Sequence, residues 1–325
     1  MNATSITIAC RAALAALGLI STFAAAQTYP TKPVRVVVGF PPGGATDVVA
    51  RLLGERLSAT LGQQFVIDNR AGAASTIGSA YVANAPKDGY TLLMGTISLS
   101  INQTLYKTLP YDALRDLAPV SQVTSAPFLF VVHPSVPARS VKEFIALAKS
   151  KPGQLNYASA GNGSGAHLFA AMFGSMAGIK IVHIPYKGAA PATTAVLGGE
   201  TPFMFDNIVT TLPLAQAGKF RALGVTTMKR AAAAPDIPTI AEAGVPGYDA
   251  NSWFGIFAPA GTPPAVIGRL HDEIVRILRA PEVRERLASL GCEPAGTSPA
   301  EFGAFFRGEV VKWGKVVRES GVQID

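Results

Sequence analysis

The chain has 325 residues, with 28 lysines and arginines against 21 acidic residues and a formal net charge of +7; 49% of it is apolar. That length is enough for two domains with substantial cores, and 32 glycines and 24 prolines suit an α/β protein with many tight connections. The positive charge is dispersed in pairs such as Lys229-Arg230, whereas a nucleic-acid surface needs clustered bases interleaved with aromatics, so that class is set aside.

Residues 1–26 hold no acid and a single base, Arg11, followed by an apolar run from Ala12 to Phe23 and then Ala24-Ala25-Ala26. A short basic region, an apolar stretch too short to span a bilayer and a small-residue site predict a signal peptide cut before Gln27. Cys10 would leave with it. Cys292 would then stand alone, and the mature fold would rest on packing without an internal disulfide.

The first element of the mature chain is Val34 to Val38, apolar on both faces and so expected as a buried parallel strand. Pro41 and Pro42 end it, Gly43 and Gly44 permit a tight turn, and Thr46 or Asp47 is expected to cap a helix carrying Val48, Val49, Leu52, Leu53, Leu57 and Leu61. Gly62 closes that helix. A strand, a glycine turn and a fresh helix N-terminus make a cradle of backbone amides suited to a small carboxylate.

A second strand is expected over Gln64 to Ile67 and a helix from Ser75 or Thr76 to Val82; a third strand, Tyr90 to Gly95, is read as ending in a small polar loop, Thr96 to Ser100. Strands alternating with helices argue parallel sheets with right-handed crossovers, and ligands lie beyond the carboxyl ends of such strands. Loops 40–47, 69–76 and 95–100 should therefore share one cleft edge.

The apolar run 118–133, broken by Pro127, is read as the strand that leaves a first domain for a second. There, Ser140 with Glu143 forms a capping-box pattern before a helix over Val141 to Ala148. Leu155 to Ser159, the turn Gly161-Asn162-Gly163-Ser164-Gly165 and the helix start at His167 repeat the opening logic. Strands follow at Ile179–Ile184, Phe203–Phe205 ending at Asp206, and Arg221–Val225, with a short helix expected over Thr239 to Ala243. Trp253 to Ala258 returns as a strand. Helices over Val266 to Leu278, 281–290 and 299–318 then form a tail expected to pack on the first domain.

Local catalytic signatures mostly fail. The first turn lacks the Gly-Lys-Ser/Thr of a P-loop and is not G-x-G-x-x-G. Gly161 to Gly165 puts its serine out of register for a nucleophile elbow, and Ser159 has Tyr157 where the first glycine belongs. The histidines, 133, 167, 183 and 271, are not paired at i, i+4, so a metal site has little support. Asp206 either meets a ligand or caps the next helix; Arg70 either clamps a carboxylate or fixes its own loop. Phe40 packs on a ligand face or on the core.

The stretch Pro33 to Asp47 resembles the periplasmic receptors of tripartite tricarboxylate transporters, the Bug family. So do Asn69-Arg70-Ala71-Gly72-Ala73, Asp88 to Leu93, the turn Ser159 to Leu168, Ile184 to Gly188 and Trp253-Phe254-Gly255. These motifs span essentially the whole mature chain. The resemblance implies an α/β, two-domain periplasmic-binding-protein fold of the type II, Venus-flytrap kind, each domain a mainly parallel sheet flanked by helices. Domain 1 would hold residues 27–126 and 253–325, and domain 2 residues 127–252. It further implies a receptor without catalysis or cofactor, which holds a small carboxylate through Phe40, Gly43, Gly44, Ala45, Thr46 and Thr96 on one side. Ser159, Gly161, Ser164 and Asp206 would close from the other. Ala71 departs from the proline that many relatives carry there, which should loosen that loop.

The expected ligand is a dicarboxylate, an acidic amino acid or an aromatic acid. The expected partner is a two-component membrane permease, with the receptor itself a monomer. A periplasmic serine hydrolase using Ser159 or Ser164 is the alternative from another class.

Overall fold

The computed structural model describes residues 29–323; the expected signal peptide and its cleavage site lie outside them. In chain order the described elements are β1 (Val34–Val38), α1 (Ala45–Leu61), β2 (Phe65–Asn69), α2 (Thr76–Ala83), β3 (Thr91–Thr96), α3 (Ile97–Leu105), α4 (Ala113–Asp116) and β4 (Leu117–Val132). There follow α5 (Val141–Ser150), β5 (Leu155–Ser159), α6 (Gly165–Ala177), β6 (Ile181–Pro185), α7 (Ala189–Leu197), β7 (Phe203–Asn207), α8 (Ile208–Gln216) and β8 (Arg221–Val225). The chain closes with β9 (Asn251–Pro259), α9 (Pro264–Arg279), α10 (Pro281–Ser289), β10 (Glu293–Pro294) and α11 (Pro299–Ser320).

The strands run β2-β1-β3-β9-β4-β7-β5-β6, and β4 belongs to two sheets at once. Its first part, Leu117 to Pro127, pairs antiparallel with β9; its last five residues, Phe128 to Val132, pair antiparallel with β7 and β8. Away from this crossing strand each sheet is parallel: β2, β1 and β3 on one side, β7, β5 and β6 on the other. The antiparallel centre follows from connectivity, because the chain that crosses outward on β4 must run back along it on β9.

Two clusters form the core, and each draws residues from both halves of the sheet. In the first, Val34, Val36, Val38, Val49, Leu53 and Leu57 are at most 4% exposed, the four-residue spacing on α1 matching the pleat of β1 beneath it. The second is aromatic. Phe130, on the crossing strand, stacks on Phe205 at 4.6 Å and meets Phe144 and Phe173 at 4.9 and 5.1 Å. The tail packs back on α3 and β4 as expected, and α11 also reaches the second half, where Trp313 stacks on Phe169 of α6 at 5.2 Å.

Several local expectations are corrected. Gly44, not Thr46 or Asp47, is the N-cap of α1, and Gly62 ends the helix in the left-handed region. Ser75 precedes α2 with φ 77°, and its hydroxyl faces Ser79 instead of capping. The residues read as a polar loop after β3 are the helix α3, capped by the Thr96 side chain. Residues 239–243 form no helix: Thr239 and Glu242 exchange backbone-to-side-chain bonds at 3.0 Å, but Gly244, at φ 138°, turns the chain away.

Candidate functional site

Five helices begin at one cavity. Its walls include Gly44, Ala45 and Thr46 at the start of α1, Thr96, Ile97 and Ser98 at α3, and Ser164, Gly165 and Ala166 at α6. Ala189 opens α7, and Asp206 and Asn207 lead into α8. All five follow directly on the carboxyl ends of strands, as the alternation of elements dictates. The cavity measures about 60 Å³, room for roughly four to six water-sized groups at the 10–15 Å³ that each needs.

No lysine, arginine or histidine is among the lining residues, and Asp206 is the one ionisable side chain there. The positive potential comes from the helices, each N-terminus carrying about half an elementary charge. Three of the five ends are partly satisfied by their caps: Thr96 accepts from Ser98 N, Ser164 from His167 N and Asn207 from Val209 N. Two are not. Gly44 and Gly188, which cap α1 and α7, have no side chain to offer, so their first-turn amides stay available. These two ends face each other across the cleft, since a Cβ on Gly44 would lie 3.6 Å from that of Ala189.

The glycine turn is held from behind. Asp47 accepts from Gly43 N at 3.1 Å, from Asn69 Nδ2 at 3.0 Å and from Arg51 at 2.9 Å, while Asn69 also binds the carbonyl of Phe40. Burial alone would push the Asp47 carboxyl up, but these bonds hold it below the usual range. Gly43 therefore spends its N–H on Asp47 and sits outside the cavity wall; its φ of 86° shapes the turn.

Of the residues nominated from sequence, the cavity brings together Phe40, Gly44, Ala45, Thr46, Thr96, Ser164 and Asp206. Gly43, Ser159 and Gly161 are not among its walls. The Ser159 hydroxyl lies 2.5 Å from His183 Nε2 and accepts from Gly161 N at 3.1 Å, while the Gly161 carbonyl accepts from Ser164. Both residues thus brace the second turn. Arg70 takes its bland role: it pairs with Asp68 at 2.8 Å and lies over the Tyr81 ring at 3.7 Å.

The Ser159–His183 contact has the outline of a nucleophile and base, yet Ser159 is 0% exposed. His183 stacks on His167 at 3.8 Å; burial pushes their pKa values down to about 3 and about 4, with His167 adding to the effect on His183. No carboxylate hydrogen-bonds to His183 among the described residues, so the third member of a triad is missing.

Asn207 was missed from sequence. It follows Asp206, is 3% exposed, and its Oδ1 accepts from Val209 N at 3.1 Å. The usable signal was an asparagine between a strand end and an apolar helical run, where an N-cap belongs.

Comparison with known proteins agrees with this geometry. The family model described as tripartite tricarboxylate transporter family receptor matches residues 49–322. Protein BugT of Bordetella pertussis is 38% identical over 301 residues, covering 92% of this chain and 92% of BugT. Rpa4515 of R. palustris, solved with adipate, superposes with a TM-score of 0.89 at 40% identity, over 91% of this chain and 99% of that one. MatC of Rhodopseudomonas palustris, solved with bound malate, gives 0.84 at 33% identity, over 89% and 100%.

Proposed function

The chain belongs to the tripartite tricarboxylate transporter receptor family, and we propose that it is a periplasmic receptor that captures one small carboxylate between its lobes and hands it to a two-component membrane permease. We place the lobes at residues 27–126 with 253–325, and at 127–252, so that β4 and the start of β9 form the hinge. The ligand class extends from the four-carbon and six-carbon acids seen with MatC and Rpa4515. The observation that carries this reading is the convergence of five helix N-termini, two of them without side-chain caps, on a cavity with no cationic side chain.

The physics follows from that arrangement. A carboxylate there exchanges its water for fixed backbone dipoles that need no reorganisation and compete with no counter-ion. In the empty molecule the same ends point at each other with like polarity, which opposes closure. An anion between them reverses the sign of that interaction. Binding and closing are then one equilibrium, and a closed receptor differs in shape from an empty one at the face that a permease would read.

The receptor performs no chemistry on its ligand in this reading. The Ser159 hydroxyl, 0% exposed, offers no reachable nucleophile.

The test is a melting scan of the purified protein, unfolded and refolded to strip any carried ligand, against a panel of small carboxylates. A ligand at 100 times its Kd adds about 2.7 kcal/mol, which raises Tm by several degrees. No shift with any acid, from protein that refolds intact, rejects the receptor reading.

A further inference from the structure

A backbone N–H can only donate, so the protonation state of its partner can be read from it. Gly163 N donates to His167 Nδ1 at 3.2 Å, a bond buried behind the second glycine turn. That nitrogen is therefore unprotonated, and the hydrogen of a neutral His167 sits on Nε2. Gly161 N likewise donates to Ser159 Oγ at 3.1 Å. The Gly161 carbonyl already accepts from Ser164 N at 3.1 Å and from Ser164 Oγ at 2.7 Å, which uses both its lone pairs. The Ser159 hydrogen is left for His183 Nε2, at 2.5 Å, so a neutral His183 carries its own hydrogen on Nδ1. The two rings stack at 3.8 Å, nearly parallel, with the Tyr157 ring 5.0 Å from that of His183. Both border a groove of about 490 Å³, separate from the ligand cavity, through which a proton can arrive. The other titratable groups lining that groove are Tyr157 of β5 and Lys180 just before β6. The end of α11 adds none, and no lining residue is acidic.

The front of the same turn carries Ala160, Ser164 and Gly165 into the ligand cavity. Gly163, between them, comes so close to α3 that an added Cβ would lie 2.5 Å from Asn102 Oδ1. We propose that His167 and His183 are positioning residues, a pair of neutral acceptors that holds this turn in its binding shape and releases it when protonated. The inference rests on the receptor reading above and adds to it a dependence on pH. A proton on His167 Nδ1 sets a donor against the Gly163 N–H. A proton on His183 Nε2 leaves the Ser159 hydrogen without an acceptor. Lys180 opposes either charge, and charging both stacked rings at once is opposed by their repulsion. Ligand binding therefore excludes protons. Affinity should hold steady above about 6.5, the ordinary histidine pKa, and fall as pH drops below it.

The experiment measures Kd for succinate and adipate by titration calorimetry at pH 8 and pH 5, on the refolded, ligand-free parent and on His167→Asn and His183→Gln. The asparagine oxygen stands in for Nδ1 and the glutamine oxygen for Nε2, so each variant keeps its acceptor and loses its proton site. At pH 8 both should bind within about twofold of the parent. At pH 5 the parent should bind at least about threefold more weakly than His167→Asn, and titration of Asp206 and of the ligand cancels in that ratio. His167→Leu, which leaves Gly163 N unpaired, should bind about tenfold more weakly than the parent at pH 8. Nitrogen-15 spectra of the ligand-free protein, with signals assigned by their absence from each variant, should show Nε2–H on His167 and Nδ1–H on His183. A parent-to-variant ratio equal at the two pH values, or the opposite tautomer on either ring, would overturn the proposal and leave the receptor reading standing. No binding of either probe, or of any other acid in the melting panel, would reject that reading and this inference with it.

Discussion

Asp206 sits among the positive ends of five helices, yet burial lifts its pKa above the usual carboxylate range to about 6, with bonds from Asn207 N and Thr210 opposing the rise. The sign follows from proton linkage. A carboxyl whose folded pKa is raised binds its proton more tightly in the folded state, so its contribution to stability is fully present below about 3.8 and is lost as pH rises through about 6. Lifting a carboxyl from its ordinary range to about 6 corresponds to about 3 kcal/mol. Asp206→Asn, which cannot ionise and still accepts from Thr210, should therefore melt several degrees above the parent at pH 8 and close to it at pH 4. Paired melting curves over this range check it, since other titrating groups cancel in the difference. A gap of equal size at both pH values would mean that Asp206 does not titrate in that window. The predicted gap at pH 8 alone would mean that the protein keeps a destabilising carboxylate in its cavity, which is a common mark of a site shaped for binding more than for stability.

At the scale of elements, the two lobes meet through glycine. A Cβ on Gly163 would lie 2.5 Å from Asn102 Oδ1, 3.2 Å from Leu105 and 3.3 Å from the Ala74 methyl, all within the segment proposed as the other lobe, and Gly163 has φ 81°. Gly163→Ala should thus cost about 1 kcal/mol of backbone strain and hold the lobes apart. Affinity for the best ligand should fall about tenfold or more, while Tm without ligand drops only a few degrees. Gly153→Ala is the control: φ is 74°, nothing lies within 4 Å of the added methyl, and binding should be unchanged. Equal loss of binding in both variants would trace the effect to strain and not to closure.

The same scale shows what was legible in the sequence. Strands with β-branched runs bounded by proline and glycine, such as β1, and helices with one apolar face, such as α1, were readable because period and punctuation agree. α3 was not, since Ile97 to Asn102 are buried all round and the alternation Ile97-Ser98-Leu99-Ser100-Ile101 carries no helical period. Ser75 failed as a cap because Ala73, Ala74 and Ser75 form a left-handed run at φ 44°, 47° and 77°, which residues other than glycine rarely adopt and which tertiary contact must hold. Asn102, on the helix that was missed, bonds the Ala74 carbonyl at 2.8 Å. At the site, backbone contributions from the strand ends were legible. Which hydroxyls face the cavity and which brace a turn was decided by partners distant in sequence, as with Ser159 and His183.

At the scale of the whole molecule, closure needs a hinge, and the chain's two tryptophans stand beside the one proposed on β4 and β9. Trp253 lies on β9, paired with Ser125 of β4, and Trp313 lies on α11 against Phe169 of the second lobe. Glu309 joins them, accepting from the two indoles at 3.2 and 3.0 Å, in a burial that raises its pKa. α11 is therefore fastened at once to the crossing strands and to the far lobe, so rotation of one lobe against the other must alter the Trp313–Phe169 stack. Ligand that closes the cleft should change intrinsic fluorescence in intensity or emission maximum, saturating at the same Kd that calorimetry gives. Phe169→Leu should remove most of the Trp313 signal while sparing the ligand cavity, which Phe169 does not line. A melting shift with no fluorescence change in the parent protein would mean that ligand enters lobes already closed, and the opposed helix ends would then lose their role in coupling binding to shape.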